Sequence, residues 1–206
     1  MAEGLADGEH TRIVVFNPTG WKRTDVVEVE IASPTTFKLV DLETGHSIPY
    51  QVSMQRSGHV LFVAHDVPAN GYRLYELVPD ESSPVNNSRM EIDPSEHRLE
   101  NEFYRIILDD NGFPIELVDK TTGMDIIDHT SPFGFLHLAG INLWAAGMNG
   151  FGFDSIPHME PAVAEAKIDI GEYGPAVASL LITRSHYPVS SMELRLVDGI
   201  KRVDVI

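Results

Sequence analysis

The stretch Arg98-Leu99-Glu100-Asn101-Glu102-Phe103-Tyr104-Arg105-Ile106-Ile107-Leu108-Asp109-Asp110-Asn111-Gly112-Phe113-Pro114-Ile115-Glu116-Leu117-Val118-Asp119-Lys120-Thr121-Thr122-Gly123 spells a β-hairpin. Tyr104, Ile106 and Leu108 alternate with Phe103, Arg105 and Ile107, the two-residue period of a strand with one buried face. The run meets Asp109-Asp110-Asn111-Gly112, and Asn-Gly readily takes the positive φ angles of a tight hairpin turn. A second β-rich run, residues 115–118, follows, with Asp119 and Gly123 framing the next turn. Pro114 has no amide donor, which assigns it to a strand entrance or a sheet edge. Residues 99–108 and 115–118 are expected to pair antiparallel across Asn111-Gly112.

Upstream, the same grammar repeats. Residues 12–17 are β-branched and apolar and end at Asn17-Pro18-Thr19-Gly20, a turn spelling. In residues 24–31, Val27, Val29 and Ile31 face one way and Glu28 and Glu30 the other. Short runs at 37–40, 48–52, 60–64 and 72–78 follow at close intervals, separated by turn residues, which favours a β-sandwich over a βαβ sheet. Asp-x-x-Thr-Gly occurs at both 41–45 and 119–123, the same turn chemistry used twice. Strand composition returns at 167–170, 176–184 and 192–197. Residues 79–94 are Pro-, Ser- and acid-rich, the composition of a linker.

A 206-residue chain with 43% hydrophobic residues has room for two such units. The net charge of -16, from 31 acidic and 15 basic residues, excludes nucleic acid and anionic membrane surfaces as partners, because both demand clustered Lys and Arg. A neutral ligand such as a sugar is compatible with it. With no cysteine there is no disulfide framework, no thiolate metal site and no redox clue to compartment. No apolar run approaches the ~20 residues of a membrane helix. The first ten residues are small and acidic, unlike a secretory signal. Localisation is therefore left unassigned.

Leu99-Glu100-Asn101-Glu102-Phe103-Tyr104 followed by Leu117-Val118-Asp119-Lys120-Thr121-Thr122-Gly123 resembles the start of the last, large β domain of α-mannosidases of glycoside hydrolase family 38. Val14-Val15-Phe16-Asn17-Pro18 with Trp21 and Arg23, then Asp41-Leu42-Glu43-Thr44-Gly45, Pro49-Tyr50-Gln51-Val52 and Val67-Pro68-Ala69-Asn70-Gly71-Tyr72, resemble the smaller β domain that precedes it. The resemblance runs in register over residues 12–123 and weakens beyond. It implies a retaining, zinc-dependent mannosidase as the parent protein. It also implies that the zinc ligands and the nucleophile lie in an earlier domain, so no catalytic residue and no metal ligand is carried onto this chain.

The residues read independently agree. Nothing like His-Glu-x-x-His occurs among the nine histidines. His65-Asp66 and Asp128-His129 read as surface turn pairs, and Asp109-Asp110, Glu100 and Glu102 as solvated carboxylates rather than a glycosidase pair. Residues 140–158 are aromatic and Gly-rich without clear period. There Trp144, Phe151 and Phe153 offer rings to stack on sugars, and Asn149 and Asp154 offer groups for hydroxyls, although such aromatics more often fill a core or an interface.

The resulting expectation is an all-β chain, a small β-sandwich followed by the first part of a larger, supersandwich-like one. Residues 1–10 are a disordered lead, 11–80 the small sandwich, 81–97 a linker and 98–206 a truncated larger sandwich. The expected role is non-catalytic: to pack on the catalytic domain of the same polypeptide and to meet a mannose-containing glycan through that parent. Unpaired strand edges give a route to self-association. A free-standing carbohydrate-binding sandwich and a purely structural module are the alternatives.

Overall fold

The computed structural model describes residues 2–7, 10–31, 36–80, 88–131, 134–136, 165–185 and 190–206, with no helix among them. The first unit comprises β1 (Ala2–Asp7), β2 (His10–Asn17), β3 (Arg23–Glu30), β4 (Phe37–Asp41), β5 (Ser47–Ile48), β6 (Tyr50–Val52), β7 (His59–Val67) and β8 (Gly71–Pro79). Two antiparallel sheets, ordered β1-β2-β8-β4-β5 and β3-β7-β6, pack face to face. Ile13, Val15, Leu39, Tyr75 and Leu77 from the first meet Val27, Val29, Val60, Phe62 and Ala64 from the second. The alternation of residues 24–31 is realised as read, with Val27 and Val29 inside.

The chain departs from the sequence expectation at two places in this unit. Residues 2–7 are not a disordered lead but a strand running antiparallel on β2, with Ala2 opposite Val15 and Asp7 opposite His10. Backbone pairing asks only for a free strand edge, which composition does not report. The run 48–52 is split at Pro49, with Ile48 paired to β4 and Tyr50 to β7. A residue without an N–H interrupts the ladder where the chain changes sheets.

The second unit contains β9 (Glu91–Asp93), β10 (Arg98–Glu100), β11 (Tyr104–Leu108), β12 (Pro114–Asp119), β13 (Met124–Asp125), β14 (Ala166–Tyr173), β15 (Val177–Arg184), β16 (Ser191–Val197) and β17 (Val203–Val205). Sheets β13-β12-β11-β10-β9 and β14-β15-β16-β17 enclose Leu99, Ile106, Leu108 and Leu117 against Leu180, Ile182, Leu194 and Leu196. The expected linker 81–97 gives up its second half: β9 pairs with β10, and Met90 is buried in this core. Met90 and the partly buried Ile92 anchor this otherwise polar edge strand on the core. Residues 98–108 form two strands rather than one. Asn101 Oδ1 accepts from the amides of Phe103 (2.9 Å) and Tyr104 (2.8 Å), folding the chain so that Leu99 lies opposite Ile106.

The hairpin itself forms as read, β11 on β12 with Ile106 opposite Leu117. Asp109 Oδ1 accepts from Asn111 (3.0 Å) and Phe113 (2.8 Å), and Gly112 sits at φ 74°. Arg184 from the facing sheet fixes the turn: its Nε and Nη2 donate to the carbonyls of Asn111 and Gly112, both at 2.9 Å. Its guanidinium also lies 4.4 Å above the Phe113 ring. A Cβ on Gly112 would clash with Ile182 Cγ2. Gly112→Ala should therefore cost about 2–4 kcal/mol, combining positive φ with overpacking. Urea unfolding measures this, and a midpoint unchanged from the parent would contradict the assignment.

Candidate functional site

β7 is buried on both faces, the pattern of a strand covered from two sides. Val60, Phe62 and Ala64 enter the first core. Leu61 and Val63 point outward and pack on Ala176, Val177 and Val197 of the second unit. The two sandwiches thus share an apolar junction. Its polar centre is Glu172, only 2% exposed, whose carboxyl receives Ser53 Oγ (2.5 Å), the amides of Met54 (3.0 Å) and Gln55 (3.2 Å), and Gln51 Nε2 (3.3 Å). Gln51 Oε1 accepts in turn from the amides of Ala176 (3.1 Å) and Val177 (2.9 Å).

Every partner of the Glu172 carboxyl is a donor, so an acceptor-only side chain fits the position. Gly174 permits the approach, since a Cβ there would lie 2.6 Å from Gln51. A further tie joins Arg202 Nη2 to Asp25 Oδ1 at 2.8 Å, placing residues 200–206 against β3. Glu172→Ala would strand several buried donors and should cost about 2–5 kcal/mol, with Glu172→Gln costing about 1–3 kcal/mol. Chemical denaturation tests the pair; a neutral Glu172→Ala would show that the junction does not depend on this side chain.

A crevice of about 160 Å³ opens between the sheets of the first unit, lined by Val15, Asn17, Asp25, Val27, Ala64 and Val67 among others. Arg23 lies at its rim, with Nη2 2.5 Å from Asp25 Oδ2, so Asp25 is held by two guanidiniums. Burial works against its charge, but Arg202 and Arg23 keep its carboxyl below the usual range. This is an ion-pair chain and supplies no general acid.

Of the other carboxylates named from sequence, Glu100, Asp109, Asp128 and Asp66 are engaged in turns or ion pairs. Glu100 is partly desolvated, yet bonds from Lys120 and Arg98 hold its carboxyl low. Asp109 caps the hairpin turn, and Asp110 is fully exposed. Asp128 caps its own turn through Thr130, while His129 Nε2 lies 2.9 Å from Asp125 Oδ2. His65 and Asp66 lie in β7 rather than in the surface turn read from sequence: Asp66 sits at φ 53° where the pairing of β7 with β3 shifts register, and it pairs with Lys22 at 3.6 Å. No group of three or more His, Cys, Asp or Glu residues able to hold a metal occurs among the described residues. Trp144, Asn149, Phe151, Phe153 and Asp154 lie outside the described residues.

Sequence reading did not anticipate Gln51, Ser53 and Glu172 as a group. The one available signal was the unbroken apolar run Val60-Leu61-Phe62-Val63-Ala64, which announces a strand covered on both faces.

Asp119 carries a pH dependence. Bonds from Lys201 and Thr121 hold its carboxyl at about 2. Depressed carboxyls stabilise the fold fully above their unfolded pKa of about 4, and that contribution is lost as pH falls through the folded values. Urea midpoints should therefore fall between about pH 4 and pH 2, and Lys201→Met should reduce the Asp119 share. A midpoint that rises on acidification through this window would contradict the sign.

No family model matches the chain, and no curated protein matches it. Solved structures do. "A protein in the glycosyl hydrolase family 38" from Enterococcus faecalis superposes with a TM-score of 0.56 at 15% identity, covering 93% of this chain and 30% of that one. An alpha-mannosidase from Enterococcus faecalis V583 gives 0.58 at 14% identity, covering 93% and 28%. This chain spans under a third of the length of either. No helix among the described residues is long and apolar enough to cross a membrane. The all-β arrangement of two joined sandwiches is thus the fold of part of these glycosyl hydrolase family 38 chains.

Proposed function

We propose that this chain is the non-catalytic C-terminal β portion of an α-mannosidase-type glycosidase. It packs on the catalytic domain of the same polypeptide, which carries the zinc, and borders the site that receives a terminal mannose. The observation that carries this reading is coverage: 93% of the chain superposes on a piece amounting to 30% of a family 38 structure. The ordered motifs of residues 12–123 support the same assignment from sequence. The engagement of Asp109 in a turn, Asp25 in an ion pair and Glu172 in the junction supports a non-catalytic role for these carboxylates.

Within this reading, residues 140–158 supply the sugar-facing wall, with Trp144, Phe151 and Phe153 as stacking surfaces and Asn149 and Asp154 as hydroxyl partners. Two assays test it. The chain alone should not hydrolyse an aryl α-mannoside, with or without added zinc; turnover that survives repurification would overturn the proposal. In the complete polypeptide, Trp144→Ala should lower kcat/KM by about tenfold or more, as loss of one ring contact to the transition state would. An unchanged value would remove residues 140–158 from the site.

A further inference from the structure

The first sandwich has two outer faces, and among the described residues the second unit covers the one formed by β7. The outer face of β7 meets the second unit through Leu61 and Val63. On the opposite sheet, β2 and β8 turn outward Phe16 beside Tyr72 and Val14 beside Leu74, paired directly across the ladder. Phe16 and Tyr72 are 55% and 53% exposed, with ring centroids 5.8 Å apart. Trp21, 66% exposed, stands in the loop that follows β2.

That loop is built to hold its shape. Asn17 is 2% exposed, and its Nδ2 donates to the carbonyls of Trp21 (2.8 Å), Val67 (3.0 Å) and Pro68 (3.0 Å). Its Oδ1 accepts from Thr19 N and Oγ1, and Asn70 N donates to Thr19 O at 2.9 Å, so the loops after β2 and β7 are tied together. A buried and satisfied amide thus presents a large aromatic ring to solvent. Exposed apolar surface of this kind marks a contact.

The flanking charges select the occupant. Arg12 pairs with Glu76 at 3.1 Å and Lys22 with Asp66 at 3.6 Å, which leaves the patch electrically neutral on a chain of net charge -16. Sugar recognition needs directional partners for hydroxyls, and these side chains are engaged with each other. A second copy would bring another -16 against the first. A flat apolar polypeptide surface meets neither obstacle. The family 38 structures that share this fold have about 70% of their length outside the matched part, ample to provide one.

We propose that the Phe16–Tyr72–Trp21 face is where the catalytic domain of the complete polypeptide seats, while β7 on the other side holds the second sandwich. The inference rests on the reading above and adds the surface. Hydroxyl-radical footprinting with residue-resolved mass spectrometry tests it, comparing this chain with the complete polypeptide. Phe16, Trp21 and Tyr72 should oxidise about fivefold or more slowly in the complete polypeptide, whereas Met124, 65% exposed, serves as the reference.

Equal oxidation of the three rings in both samples, in a polypeptide that hydrolyses mannosides, overturns the inference and leaves the proposed function standing. A complete polypeptide without mannosidase activity overturns the proposed function instead. Protection of the rings in this chain alone by methyl α-mannoside replaces the polypeptide partner with a sugar platform and overturns the inference. Trp21→Ala with Tyr72→Ala should leave the melting temperature of this chain unchanged and lower that of the complete polypeptide; no shift in the latter counts against it.

Discussion

A buried carboxyl with only donors around it dictates how the two sandwiches meet. Glu172 reaches from β14 into the turn after β6 and gathers Ser53, Met54, Gln55 and Gln51. A donor left unmade at such a depth costs about 1–3 kcal/mol, so the arrangement tolerates little displacement. Gln51 extends the same network to the amides of Ala176 and Val177, the residues that lead into β15. Hydrophobic contact at Leu61 and Val63 supplies non-directional attraction there, and the polar network supplies register.

Register at the junction has consequences on both sides. β15 and β16 run from it into the core of the second sandwich, ending in Arg184 at the hairpin turn. β7 runs from it into the first core, ending at Val67 beside Asn17 and the loop that holds Trp21. The distant hairpin and the aromatic face are therefore positioned by strands that share one packed interface.

Much of this was legible in residue order because strands and turns are local. Alternation placed Val27 and Val29 inside, the expected hairpin forms although it closes over residues 109–113 with positive φ at Gly112 and not at Asn111, and Asp41 and Asp119 cap their turns alike, with Gly45 and Gly123 amides 2.7 Å from the Asp carbonyls. What escaped is non-local or competes with the local signal. The split of 98–108 depended on one Asn side chain outbidding a strand pattern. The strand at 2–7 depended on an edge that composition does not show. Gln51 and Glu172 are 121 positions apart, and no spacing rule links them. The candidate sugar contacts, within residues 140–158, lie outside the described residues.

The central claim is that the two sandwiches form one mechanical and thermodynamic unit through the Glu172 junction. Native-state hydrogen exchange at increasing urea tests it most directly, following the amides of Phe62 and Val63 in β7 beside those of Leu180 and Ile182 in β15. The account predicts that these amides converge on a single opening free energy with a single urea dependence. Two sets that open separately, the first sandwich at one free energy and the second at another, would contradict it.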